Sequence, residues 1–142
     1  MIVVVEDSNE EAKITTMSLK AVAPSSEITR LRDGKELLDF IYCNGEYSAR
    51  NSKENQKVSF ILLDINMPRM SGIEALSAIK KNEKSKNIPV VMFSSSDVET
   101  DVEKCFNLGA NSFVKKPVSF SDFRISIDKI ANYWIGFNLR LS

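Results

Sequence analysis

The sequence has no histidine, only two cysteines and a single tryptophan among its 142 residues. Without histidine, the chain lacks the commonest zinc ligand and the commonest general base of proteins. Cys43 and Cys105 stand far apart and form no CxxC pattern, so we predict two reduced thiols in or near a core. Any catalysis must therefore use carboxylates, lysine, hydroxyl groups and a hard cation.

An excess of one charge and a long apolar run are also missing. Nineteen Lys and Arg residues balance nineteen Asp and Glu residues, which disfavours nucleic acid and anionic membranes as partners. No apolar run approaches the ~20 residues of a membrane span, and the N-terminus lacks the pattern of a signal peptide. We expect a cytoplasmic protein, and the length suits one domain.

Five short candidate strands alternate with five segments of helical pattern. We predict these strands at residues 2–5, 27–31, 58–63, 88–94 and 111–115. Capping-box patterns begin the first helix at Ser8 and the fourth at Ser96. Alternation of this kind is typical of a doubly wound parallel sheet with helices on both faces. We therefore predict a single α/β domain spanning residues 1–142.

Two segments fall outside this alternation. Residues 45–57 are polar and nearly free of aliphatic side chains, which predicts an exposed loop, most simply a tolerated insertion. The tail, residues 131–142, is too apolar for a frayed end, and we favour an interface over packing against its own domain. Its apolar side chains are Trp134, Ile135, Phe137, Leu139 and Leu141.

Polar residues follow four of the five predicted strands. In a parallel sheet the carboxyl ends of all strands open on one edge, where α/β proteins bind ligands. Three acids brought together there repel each other, and a hard cation such as Mg²⁺ relieves the repulsion. A lysine, a serine and a metal beside a carboxylate suit attack of that carboxylate on phosphorus. The acids are Glu6, Asp7 and Asp64, the serines follow the fourth strand at residues 94–96, and the lysine is Lys115 or Lys116.

The surroundings of these residues form a pattern that is highly specific. Its core is the sequence Asp-x-x-Met-Pro-x-Met-x-Gly, from Asp64 to Gly72. With the flanking segments in order, the chain resembles the receiver domain of two-component response regulators over essentially its whole length. The flanking segments are Val5–Asp7, Phe93–Ser94, Gly109–Asn111 and Lys116–Pro117. The resemblance implies a flavodoxin-like (βα)5 fold with strand order 2-1-3-4-5.

The resemblance also implies a role for each site residue. Asp64 would be the phospho-acceptor. Asp7 and Asp64 would bind Mg²⁺ through their carboxylates, Asn66 through its main-chain carbonyl, and Glu6 mostly through metal-bound water. Lys116 matches the family's lysine. Catalysis would be limited to Mg²⁺-dependent self-phosphorylation from a phosphodonor and slow autodephosphorylation.

The resemblance also has implications for the switch residues and for one peptide bond. Ser94 fits the hydroxyl residue that turns toward the phosphoryl group, and Phe113 fits the aromatic residue that moves with it. Phe113 lacks the hydroxyl that a tyrosine would bring to a switch, so the sequence leaves open whether it acts as a switch residue or only as part of the core. The bond between Lys116 and Pro117 is expected to be cis, as in that family.

The loop at residues 45–57 and the aromatic tail resemble the single-domain regulators that pair with bacterial phytochromes and related hybrid kinases. This resemblance implies a sensor histidine kinase as partner and a homodimer through the last helix and tail. After the fifth strand only one helix and the tail remain, so we expect no fused output domain.

Three alternatives were weighed against this interpretation. A phosphatase of the haloacid dehalogenase type needs a second acid where this chain has Asn66. A nucleotide-binding flavodoxin-like domain needs a glycine-rich loop where Ser8–Glu11 is acidic. The remaining alternative is a pseudo-receiver, which would bind partners without being phosphorylated.

Overall fold

A computed structural model describes residues 1–140, so Leu141 and Ser142 of the predicted tail lie outside the described residues. Five parallel strands form one sheet in the order β2-β1-β3-β4-β5, which confirms the predicted fold class and strand order. The strands are β1 (Ile2–Val5), β2 (Ile28–Leu31), β3 (Phe60–Leu63), β4 (Val90–Ser94) and β5 (Ser112–Lys115).

Five α-helices connect and follow the strands, as the alternation predicts. They are α1 (Asn9–Val22), α2 (Gly34–Tyr42), α3 (Gly72–Lys81), α4 (Glu99–Asn107) and α5 (Phe120–Ala131). Two 3-10 helices, Gly45–Tyr47 and Ser52–Lys57, follow α2, and a π-helix, Asn132–Phe137, follows α5. None of the helices within residues 1–140 is long and apolar enough to span a membrane.

Each face of the sheet carries its own core, because successive side chains of a strand point to opposite faces. Val3 and Val5 of β1 belong to the core that α2 and α3 cover. Ile2 and Val4 belong to the core that α1 and α5 cover. Cys105 is buried in the first core and Cys43 is half-buried, and both are free thiols, as predicted.

The capping predictions met different outcomes. The Ser8 hydroxyl accepts a hydrogen bond from the Glu11 amide at 3.3 Å and begins α1 as predicted. The predicted cap at Ser96 is wrong, because α4 begins only at Glu99 and its N-cap is Val98. The Ser96 hydroxyl instead accepts from the Val98 amide at 3.5 Å, within a turn before the helix.

Residues 45–57 are not the simple exposed loop that their composition predicts. Asn55 is buried and its amide nitrogen donates to the Ile41 carbonyl at 2.8 Å. The guanidinium of Arg50 lies 3.7 Å from the ring centre of Phe40 and donates to the Asn55 side chain at 2.7 Å. Tyr47 donates to Glu36 at 2.8 Å. These polar contacts fasten the segment to α2.

The tail both packs against the domain and exposes apolar surface. Trp134 is half-buried against the core under α5, while Phe137 and Leu139 are 79 % and 96 % exposed. Arg140 anchors the end of the described chain, since its guanidinium donates to the carbonyls of Asn55, Gln56 and Val58. Only the exposed apolar part remains available for an interface.

Candidate functional site

Parallel pairing brings the strand ends to one edge, as the sequence predicts. Val5 pairs with Leu63 across β1 and β3, and Ser94 pairs with Lys115 across β4 and β5. The residues that follow these positions therefore emerge side by side. Glu6, Asp64 and Lys116 are buried there.

Three carboxylates converge at this edge. Glu6, Asp7 and Asp64 each offer an oxygen within 4.8 Å of the other two. Glu6 and Asp64 are 4 % and 9 % exposed, whereas Asp7 faces solvent. A set of oxygen donors open to water on one side fits Mg²⁺, which takes few carboxylates and keeps several waters.

Lys116 offsets part of this negative charge. Its Nζ lies 2.5 Å from Glu6 Oε1, 3.2 Å from Asp64 Oδ2 and 3.3 Å from Glu11 Oε1. Burial would lower the pKa of Lys116, but the three carboxylates outweigh burial and raise it. Burial also raises the pKa of Glu6, to about 7, although Lys116 opposes that shift. The site thus holds one ammonium among more acids than it can neutralise.

Glu11 is a fourth acid that the sequence interpretation missed as a site residue. The Glu11 amide donates to the Ser8 hydroxyl that caps α1. The Glu11 carboxylate pairs with Lys116 and does not complete the capping box at the start of the helix. Its position in the sequence could have indicated this role, because Glu11 lies in the first turn of α1, four residues after Asp7.

Arg30 of β2 was also missed. Its Nε and one terminal nitrogen donate to the Glu6 carbonyl at 3.0 and 2.8 Å, and the other terminal nitrogen donates to Asn9 Oδ1 at 3.0 Å. The Ser8 amide donates to Glu6 Oε2 at 3.1 Å. Together these bonds fix the β1–α1 loop that carries Asp7.

The chain around Asp64 is fixed by short-range contacts. The Ile65 amide donates to Asp64 Oδ1 at 2.8 Å, and the Gly72 amide donates to the Ile65 carbonyl at 2.8 Å. A Cβ at position 72 would overlap the Asp64 carbonyl oxygen. The glycine of the motif therefore permits α3 to begin directly against Asp64. Asn66 lies exposed between these contacts.

The predicted switch residues lie on neighbouring strands. Ser94 is fully buried, and its hydroxyl accepts from the Ser96 amide at 3.3 Å. The Ser94 carbonyl accepts from the Lys116 amide at 2.8 Å, which ties the two strand ends together. Phe113 is half-buried against the core under α2 and α3.

The prediction of a cis bond between Lys116 and Pro117 is wrong for this structure, where residues 1–140 contain no cis peptide. The trans form of a bond before proline is intrinsically favoured by about 0.5–1 kcal/mol. Lys116 reaches Glu6 and Asp64 from the trans backbone.

Comparison with known proteins agrees with this geometry. The family model described as the response regulator receiver domain matches residues 2–128. The probable methanogenesis regulatory protein FilR2 of Methanothrix harundinacea is 33 % identical over 138 residues, covering 97 % of this chain and 85 % of that protein. Response regulator Rcp1 of Synechocystis sp. is 32 % identical, covering 95 % of this chain and 88 % of Rcp1.

Solved structures give the same result. The phosphorylated cyanobacterial phytochrome response regulator RcpA superposes with a TM-score of 0.91 at 28 % identity, over 99 % of this chain and 97 % of that one. The Mn²⁺-bound form of Rcp1 superposes with a TM-score of 0.90 at 30 % identity, over 99 % and 98 % of the two chains.

Proposed function

Because the chain belongs to the response regulator receiver domain family of two-component signalling, we propose that Asp64 accepts a phosphoryl group with Mg²⁺ bound beside it. The observation that carries this proposal is the meeting of the Glu6, Asp7 and Asp64 carboxylates within 4.8 Å of one another, two of them paired with the buried Lys116. The chain lacks the second acid that a haloacid dehalogenase phosphatase needs at position 66 and the glycine-rich loop that a nucleotide-binding domain needs after β1.

Separate residues would hold the metal and the phosphoryl group. Glu6, Asp7, Asp64 and the Asn66 carbonyl would hold Mg²⁺, and the Mn²⁺-bound structure of Rcp1 supports a divalent cation in this fold. The bound cation would supply positive charge to the transferring phosphoryl oxygens. Lys116 would leave part of its carboxylate cluster to donate to one of those oxygens.

The reaction needs only positioning and charge. An oxygen of Asp64 forms a bond to phosphorus while the bond between phosphorus and the donor breaks, and the leaving group keeps the electron pair. Hydrolysis of the acyl phosphate by water would later restore the carboxylate. Self-phosphorylation from a small donor and slow autodephosphorylation are the catalytic steps we assign to the chain.

We propose that Ser94 and Phe113 carry the change to the surface. Phosphorylation adds a charge of roughly −1.5 to −2 at Asp64. The Ser94 hydroxyl would exchange its bond with the Ser96 amide for donation to a phosphoryl oxygen, and Phe113 would follow. Converting such a switch from 1:99 to 99:1 takes about 5.5 kcal/mol of differential stabilisation. New charge-assisted bonds from Ser94 and Lys116 are of the strength required.

A sensor histidine kinase is the proposed phosphodonor in the cell. The phytochrome response regulator RcpA, similar over 97 % of its own length, supports a kinase of the phytochrome type. We also propose a homodimer through the last helix and tail, supported by the exposed side chains of Ile135, Phe137 and Leu139.

Intact-mass measurement after incubation with acetyl phosphate and Mg²⁺ tests the acceptor. The wild type should gain one phosphoryl group, which Asp64→Asn and EDTA should both abolish. Asp39→Asn is the matched control, because Asp39 pairs with Lys35 on the outside of α2. A wild type that binds Mg²⁺ but gains no mass would overturn the proposal in favour of the pseudo-receiver.

A further inference from the structure

The loop between β3 and α3 would supply two metal ligands, Asp64 and the Asn66 carbonyl, and a charged pair ties this loop to α2. Arg69 Nε donates to Asp33 Oδ2 at 2.7 Å. Asp33 is also the N-cap of α2, since its Oδ1 accepts from the Glu36 amide at 2.9 Å. One carboxylate therefore holds both the start of α2 and the tip of the loop.

The backbone at the tip is held in an uncommon conformation. Arg69 has a φ of 64°, in the left-handed region that few residues other than glycine adopt. The Met70 amide donates to the Pro68 carbonyl at 2.7 Å, which closes a tight turn. The Gly34 amide donates to the Met70 carbonyl at 3.3 Å. A Cβ at Gly34 would lie 2.9 Å from that oxygen, so α2 presses closely against the loop.

The charged pair is not an ordinary surface ion pair. Asp33 has a side chain only 5 % exposed, while that of Arg69 is 60 % exposed. A buried carboxylate that loses its partner pays a desolvation cost that an exposed one does not. The ion pair with Asp33 is therefore strong. It keeps the backbone of Arg69 in the left-handed region, because a change of φ at Arg69 would move its guanidinium away from Asp33.

We propose that Arg69 and Asp33 are positioning residues for the metal, because they hold the loop so that the Asn66 carbonyl faces the cation. A side-chain ligand can adjust its rotamer, but a main-chain ligand is placed only by the conformation of its loop. This inference rests on the proposed function, since it requires Asn66 to be a metal ligand.

The test is calorimetric titration of the metal-free protein with Mg²⁺. Arg69→Ala should weaken Mg²⁺ binding by roughly three- to tenfold, less than the 10–100-fold typical of groups bonded directly to a ligand. Removing a positive charge near a cation site would by itself strengthen binding, so charge alone predicts the opposite sign. Arg69→Lys should lie between the wild type and Arg69→Ala, because lysine keeps the charge without the planar fork.

Lys35→Ala is the matched control, since it removes one positive charge from α2 whose partner, Asp39, lies on the same helix. It should leave Mg²⁺ affinity unchanged or slightly increased. A second readout needs no metal: exchange of the Met70 and Gly34 amides, which donate to the carbonyls of Pro68 and Met70, should accelerate in Arg69→Ala. Exchange in the central strands should stay at the wild-type rate.

The outcomes separate this inference from the proposed function. Wild-type affinity in Arg69→Ala, or tighter binding, would overturn the positioning role and leave the phosphorylation proposal standing. Absence of Mg²⁺ binding in the wild type would overturn the proposed metal site, and the positioning role with it.

Discussion

At the scale of single residues, substitution of Lys116 should lower the free energy of unfolding, whereas substitution of Asp64 should not. Lys116 lies among Glu6, Asp64 and Glu11, and its side chain is 6 % exposed. Lys116→Met leaves buried carboxylates without a partner, which typically costs about 3–5 kcal/mol. Asp64→Asn removes repulsion and should not lower the free energy of unfolding. Urea unfolding in EDTA measures both variants.

Magnesium provides the control for that prediction. Because a bound cation takes over part of the role of Lys116, saturating Mg²⁺ should recover much of the stability lost in Lys116→Met. Equal losses in the two variants, or no recovery with Mg²⁺, would show that repulsion among these acids does not limit stability.

Asp33 gives a prediction with a defined pH dependence. Burial would raise its pKa, but the bonds from Arg69 and the Glu36 amide outweigh burial and hold the pKa below its ordinary value. The stability due to Asp33 is therefore fully present above the unfolded-state pKa of about 3.9. It is lost as the pH falls through the lower, folded-state pKa.

The measurement compares the wild type with Asp33→Asn, since asparagine keeps the helix cap but not the charge. The wild type should be more stable at pH 6, and the difference should shrink as the pH falls below 4. Asp39→Asn, which loses a solvent-facing pair with Lys35, should show only a small difference throughout. A difference for Asp33→Asn that does not change with pH would contradict the assignment.

Residue-scale prediction from sequence succeeded where topology alone decides position. Asp64 follows a strand, and all strand ends of a parallel sheet meet at one edge. Topology brings both Lys115 and Lys116 to that edge, and only the family resemblance selected Lys116, which contacts Glu6 and Asp64 while Lys115 pairs with Asp97. Arg30 and Arg69 were missed because their partners, the Glu6 carbonyl and Asp33, come from other elements. A local sequence pattern does not predict which charged side chain will pair with a partner on a distant element.

At the scale of elements, the start of α3 depends on Gly72. A Cβ there would overlap the Asp64 carbonyl oxygen, which is backbone and cannot move aside cheaply. Gly72→Ala should therefore lower the free energy of unfolding by about 1–3 kcal/mol, the usual cost of overpacking. It should also slow phosphorylation, since Asp64 must shift.

Gly136 is the matched control, because a Cβ there meets no atom within 4 Å. Gly136→Ala should leave stability within about 0.5 kcal/mol of the wild type, as for most surface changes. Thermal unfolding compares the two variants. Similar behaviour of both would mean that α3 can begin further from Asp64 without cost.

The strands β1, β3 and β4 were predicted within a few residues because their apolar runs are continuous and end at polar residues. The strands β2 and β5 contain polar side chains, and their prediction relied on the regular alternation with helices. Most of residues 45–57 are exposed, as their composition predicts. The buried contacts of this segment were not predicted, because a polar composition is the same whether a side chain contacts water or a main-chain carbonyl. Asn55 is buried against the Ile41 carbonyl, and this pairing exists only once α2 is in place. The cap at Ser96 failed because a serine can also close a turn just before a helix.

At the scale of the whole molecule, the tail is attached to the domain at two points and exposes apolar side chains between them. Trp134 packs on the core, Arg140 binds the carbonyls of residues 55–58, and the apolar side chains between them face outward. The segment is attached at both ends and still leaves Phe137 and Leu139 largely exposed. A surface held in this way suits a second copy of the chain.

Phe137→Asp should therefore convert a dimer into a monomer in sedimentation velocity, because a carboxylate at an apolar interface must be desolvated. Phosphorylation by acetyl phosphate should continue, since the tail beyond Phe137 reaches residues 55–58 just before the amino end of β3, whereas Asp64 follows the carboxyl end of that strand. Val118→Asp is the matched control: Val118 is fully exposed but lies outside the tail, so this variant should remain a dimer. If the wild type sediments as a monomer at all concentrations, or if Val118→Asp dissociates as fully as Phe137→Asp, the tail is not the interface.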